Sequence, residues 1–162
     1  MWVFLLSGVS QAHHPGNVGV FGSPQVRGQV ELAIRGAEGR LREPECLRIL
    51  NDFHDAQGKP LLRVLEARNV SATDFLTKWM RFRDGRDETP CQTANPGVAV
   101  TRPGSVVVYI CSTSLAAREM FGSGRVAEAA VIHEMLHALG LPENPPSSRE
   151  ITNRVLDRCG KR

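Results

Sequence analysis

A chain of 162 residues, 41% of them hydrophobic, has the length of one domain and can bury a single sizeable core. Its 20 Lys and Arg stand against 17 Asp and Glu, and the arginines are spread from Arg27 to Arg162, so the clustered basic footprint of a nucleic-acid binder is missing. No run approaches the ~18 apolar residues of a membrane span, which predicts a mature chain without one.

In chain order, MWVFLLSGVSQAHH begins with an apolar run from Trp2 to Leu6, followed by small residues at Ser10 and Ala12. Residues 1–12 read as a signal peptide, truncated-looking because the run is short and no Lys or Arg precedes it. Cleavage after Ala12 leaves His13-His14 at the mature N-terminus, and residues 13–28, rich in Gly, Pro and Asn, read as a flexible tail. The expected location is secreted or periplasmic.

Val30, Leu32 and Ile34 alternate with polar residues and predict a strand. Helical patterns follow from Pro44 to Phe53 and again after Pro60. Ser71 or Thr73 can cap a short helix, while FLTKWMRFR fits a helix or a strand equally well. Residues 98–100 and 105–110, joined by TRPG, read as a β-hairpin with Val106, Val108 and Ile110 on one face. Residues 114–121 suit a short helix or turn. A final helix from Ser148 carries Ile151, Val155 and Cys159 on one face. The class expected is α+β, one compact domain over residues 29–162 that acts as a monomer.

Cys46, Cys91, Cys111 and Cys159 are even in number and lack CxxC spacing, which in an exported chain reads as two disulfides. Spacing leaves the connectivity open; Cys111 with Cys159, and hence Cys46 with Cys91, is the expected pairing.

RVAEAAVIHEMLHALG is a helix that is apolar almost all round, and so a buried one. Into it the chain places His133, Glu134 and His137, and buried polar groups without partners are costly. Residues four apart share a helix face, so His133 and His137 can address one metal ion with Glu134 beside it as a general base. This HExxH pattern predicts hydrolysis of a polarised carbonyl by a metal-activated water, with Zn2+ as cofactor. Gly140 and Pro142 end the helix and turn the chain, so that Glu143 can come back under the ion.

At this point the sequence resembles the zincin metallopeptidases. HEMLHALGLPE is similar to the metzincin arrangement HExxHxxGxxH with Glu143 in the third position, as in the snapalysin-like variant, although all four Met residues precede it and no Met-turn follows. The run ENPPSSREIT is similar to that of small exported bacterial proteins with a zincin-like motif. The resemblance implies a zincin-like fold with a small sheet or hairpin, a buried active-site helix and a C-terminal helix. It also implies a zinc peptidase in which His133, His137 and Glu143 bind metal, Glu134 is the base, and the partner is a peptide or protein substrate.

Glu150 is the alternative third ligand, since the gluzincin branch takes that ligand from a downstream helix. Against it, Ser147-Ser148-Arg149-Glu150 has the pattern of a capping box, which would occupy Glu150 at the helix start. Glu150 could instead accept a hydrogen bond from a ligand histidine. The competing class of protein is a non-catalytic exported zinc-binding module. Tyr109, the sole Tyr, reads as packing rather than catalysis, and Asn69-Val70-Ser71 is a glycosylation sequon only in a host that glycosylates.

Overall fold

The computed structural model describes residues 17–94 and 96–160. The expected signal peptide and His13-His14 lie outside the described residues. From Asn17 onward the supposed tail is packed. Asn17 accepts from the Phe82 amide (3.0 Å), Gly19 donates to the Phe82 carbonyl (2.8 Å), and Val18 and Phe21 are buried.

The chain then enters α1, Pro24–Arg40, with Pro24 in its first turn and Ser23 as N-cap accepting from the Val26 amide. This corrects the strand expected at Val30 to Ile34. Val26, Val30, Ala33, Ile34 and Ala37 recur at helical spacing and are all buried, whereas Leu32, which strand alternation would have placed with Val30 and Ile34, is 62% exposed. A three-residue alternation was outweighed by a five-residue helical period.

Two short helices, α2 (Pro44–Leu47) and α3 (Ile49–Asp52), replace the continuous helix expected from Pro44, and α4 spans Leu61–Ala67. Ser71 caps α5, Ala72–Asp74, by accepting from the Asp74 amide at 3.0 Å. A π-helical turn, Phe75–Trp79, follows, and then strand β1, Arg81–Asp84. The ambiguous FLTKWMRFR is thus a helical turn and a strand in succession. After a 3-10 turn at Thr89–Cys91 come β2 (Ala99–Thr101) and β3 (Val107–Ile110), paired antiparallel as the hairpin pattern predicts. β1 joins β3 in parallel, giving the order β1-β3-β2 and leaving β2 at an edge.

Three helices complete the chain: α6 (Leu115–Phe121), α7 (Arg125–Ala138) and α8 (Ser148–Cys159). The result is one α+β core in which α7 is packed by α1, α8 and β2. Phe82, Val108 and Ile110 turn inward from the sheet. Gly36 lets α1 approach closely, since a Cβ there would stand 2.6 Å from the Glu128 side chain on α7, and Arg40 closes the same contact by donating to Glu128 at 2.8 Å.

The disulfides are Cys46–Cys159 and Cys91–Cys111, which corrects the expected pairing. The last turn of α8 lies on α2, where Arg158 also bonds Glu45 and Asp52, so Cys159 meets Cys46. Cys111 leaves β3 beside the 3-10 turn that carries Cys91. No cysteine among the described residues is free, and no helix there is long and apolar enough to cross a membrane.

Candidate functional site

α7 ends in a Schellman motif. The Leu141 amide donates to the Leu136 carbonyl (3.1 Å) and the Gly140 amide to the His137 carbonyl (2.9 Å), with Gly140 at φ +112°, a conformation open to glycine. This turn carries the Leu141 carbonyl back over the last helical turn, where it accepts from His137 Nδ1 at 2.8 Å. A carbonyl only accepts, so the proton of neutral His137 is on Nδ1 and its Nε2 lone pair points away from the backbone.

That lone pair faces His133. The two Nε2 atoms are 3.0 Å apart, and His133 Nδ1 lies 2.9 Å from Thr152 Oγ1 on α8. Thr152 can donate or accept, which allows two arrangements. With no cation between the rings, His133 donates from Nε2 to His137 and accepts from Thr152 at Nδ1. When His133 instead donates from Nδ1 to Thr152, both Nε2 lone pairs are presented to one point. Two imidazole nitrogens sharing a tetrahedral zinc sit about 3.3 Å apart, so the observed separation is within a few tenths of an ångström of the need. Both rings are buried, and burial, reinforced by the neighbouring His137 ring, holds His133 down to about 4, which keeps it neutral and able to ligate at ordinary pH.

Glu134 is half-buried on the same helix. Burial raises its carboxyl; the Thr101 hydroxyl on β2 and His137 oppose the rise, and Glu143 adds to it. Around these residues opens a cleft of about 470 Å3, lined on one wall by Gly97 to Thr101 along the edge strand and on the other by α7. Met120, Val126 and Ala130 make its apolar end.

The sequence-derived residues divide as follows. His133, Glu134, His137 and Glu143 line one cleft. Among the described residues no three His, Cys, Asp or Glu side chains are gathered closely enough to form a ready metal cluster, so Glu143 shares the cleft without joining the histidine pair. Glu150 is elsewhere. Its carboxylate accepts from the Ser147 amide (2.7 Å) and hydroxyl (2.6 Å), completing the capping box, and it borders a separate hollow with Phe53 and Arg154. Nor does it bond His133 or His137, whose Nδ1 atoms meet Thr152 Oγ1 and the Leu141 carbonyl. Tyr109 is on the outer face of β3, in a hollow with Glu88 and Arg102 rather than in the cleft.

Three contributors escaped the sequence reading: Thr101, Thr152 and the Leu141 carbonyl. The carbonyl has no side-chain signal beyond the glycine before it. Thr152 was accessible in principle, as a hydroxyl flanking the Ile151, Val155, Cys159 face of a helix. Comparison with known proteins finds no match to this chain among family models, curated proteins or solved structures.

Proposed function

We propose that the chain is a zinc-dependent peptidase, with His133 and His137 as ligands, Glu143 as the third ligand and Glu134 as the general base. The observation that carries the reading is the pair of imidazole Nε2 atoms converging at 3.0 Å, each ring oriented from behind, at the floor of an open cleft. A bound zinc ion would supply a Lewis acid that polarises the scissile carbonyl and acidifies water. The Glu134 carboxylate takes the proton of the attacking water and delivers it to the leaving amide nitrogen. Edge strand β2 offers unpaired backbone groups along the wall of the cleft, where an extended peptide can add as a strand. The open cleft beside the histidine pair supports catalysis over a structural role, because structural zinc is closed by four protein ligands.

The test is zinc analysis of the purified protein and cleavage of a broad peptide library, with Glu134→Gln beside the parent. The variant should retain zinc and lose at least about 100-fold in kcat. Near-parental turnover would remove Glu134 from the mechanism, and a parent that binds zinc yet cleaves nothing would favour the non-catalytic module.

A further inference from the structure

The donor directions around the histidine pair are fixed from one end. The Leu141 carbonyl can only accept, so neutral His137 carries its proton on Nδ1 and its Nε2 is a bare acceptor. The 3.0 Å contact between the two Nε2 atoms is then a hydrogen bond only if His133 donates from Nε2, which leaves His133 Nδ1 without a proton. Thr152 Oγ1, 2.9 Å from that nitrogen, must donate to it. In the metal-free chain the bonds thus run in one direction, from Thr152 through His133 and His137 to the Leu141 carbonyl. A metal ion needs both Nε2 lone pairs, and the two rings answer that need differently. His137 already presents its lone pair, whereas His133 must move its ring proton to Nδ1. Thr152 then has to accept where it donated. A hydroxyl does both; a carboxylate only accepts, and an aliphatic side chain does neither.

We infer that Thr152 is the positioning residue for His133 and that their hydrogen bond reverses with metal: the hydroxyl donates to Nδ1 in the metal-free site and accepts from Nδ1 when zinc is bound. The inference rests on the reading of His133 and His137 as zinc ligands. The ring proton leaves Nε2 and is replaced at Nδ1 by exchange with cleft water, so His133 is neutral before and after, and the Thr152 proton can turn to the carbonyl four residues back in its helix. Packing of α8 on α7 holds the hydroxyl in place, since Ile151 and Val155 on either side of it are fully buried and Cys159 is bridged to Cys46. The histidine pair therefore keeps its polar groups partnered with or without metal, which a fixed acceptor behind His133 would not allow.

The decisive experiment follows the ring tautomers by heteronuclear NMR of histidine-labelled protein, without and with added Zn2+, and needs no activity. His133 should carry its proton on Nε2 in the metal-free protein and on Nδ1 with zinc, while His137 stays protonated on Nδ1 in both. A proton on His133 Nδ1 before zinc is added, or a switch at His137 instead, overturns the inference. Thr152→Val, which keeps the shape and loses the hydroxyl, should weaken zinc binding by about 10–100-fold in competition with a chelator, and Thr152→Ser should bring affinity back to within about threefold of the parent. Parental affinity in Thr152→Val, or no recovery in Thr152→Ser, overturns the positioning role. A parent that binds zinc with the tautomer change yet cleaves no peptide fails the peptidase reading and leaves the role of Thr152 standing. A parent that cleaves peptides with no tautomer change at His133 overturns the role of Thr152 alone.

Discussion

Two neutral imidazoles with nitrogens 3.0 Å apart either share one N–H between them or, with both lone pairs turned to the same point, need a cation there. That is the strongest statement a single pair of residues makes in this protein, and the sequence made half of it: the spacing of His133 and His137 is legible, whereas the partners that set their tautomers are not. The depressed value of His133 has a consequence for the metal-free chain. Its folded value, about 4, is below the ordinary 6.5, so its contribution to stability is fully present above about 6.5 and is lost as pH falls toward 4. The whole shift amounts to about 3 kcal/mol. The metal-free protein should therefore show a Tm that is flat near neutrality and drops between pH 6.5 and 4, and His133→Gln should flatten that drop. A parallel slope in the variant would assign the acid sensitivity to other groups. The third ligand is also decided by single residues. Glu143→Gln should weaken zinc binding by at least about tenfold, measured by competition with a chelator, while Glu150→Gln, whose amide can still accept from Ser147, should leave affinity in place and cost a few tenths of a kcal/mol. The reverse pattern would put the site in the gluzincin arrangement.

At the scale of elements, the features written locally in the sequence are the ones that could be read from it. The hairpin, α7 and α8 with its capping box each announce themselves within a dozen residues. The helix α1 did not, because Val30, Leu32 and Ile34 alternate over a window too short to reveal the longer period that packs against α7. The turn after α7 shows how an element end can shape chemistry. Gly140 holds φ +112°, and a Cβ there would stand 3.2 Å from Asp55 Cβ, so Gly140→Ala meets both backbone strain and a neighbour. The expected cost is about 1–3 kcal/mol, read as a lower Tm. Since the Leu141 carbonyl that orients His137 is part of the same turn, zinc affinity should fall as well. A loss of stability with unchanged affinity would mean that the carbonyl finds its place without the glycine.

For the molecule as a whole, the pairing of the cysteines is the feature least accessible to sequence, because it depends on which elements meet after folding, and α8 meets α2 rather than β3. The two bridges divide the labour. Cys46–Cys159 spans 113 residues and fastens α8, which carries Thr152 and is joined to α2 and α3 by the Arg158 contacts with Glu45 and Asp52. Cys91–Cys111 spans 20 residues and closes the segment that contains β2, the wall of the cleft. Loop-closure entropy gives about 5 kcal/mol for the long bridge and about 3 kcal/mol for the short one. Replacing Cys46 and Cys159 by alanine should therefore lower denaturant stability more than replacing Cys91 and Cys111, and reduction of the parent should lower Tm by an amount at least as large as the first replacement. The short bridge should matter more for the cleft than its stability share suggests: without it, β2 keeps its pairing to β3 but its approach through residues 92–98 is no longer anchored. Under the peptidase reading this appears as a raised KM with zinc affinity unchanged, whereas loss of the long bridge, by loosening the helix behind His133, weakens zinc binding first. Finding the two effects exchanged between the bridges would show that the site is supported from the sheet rather than from α8.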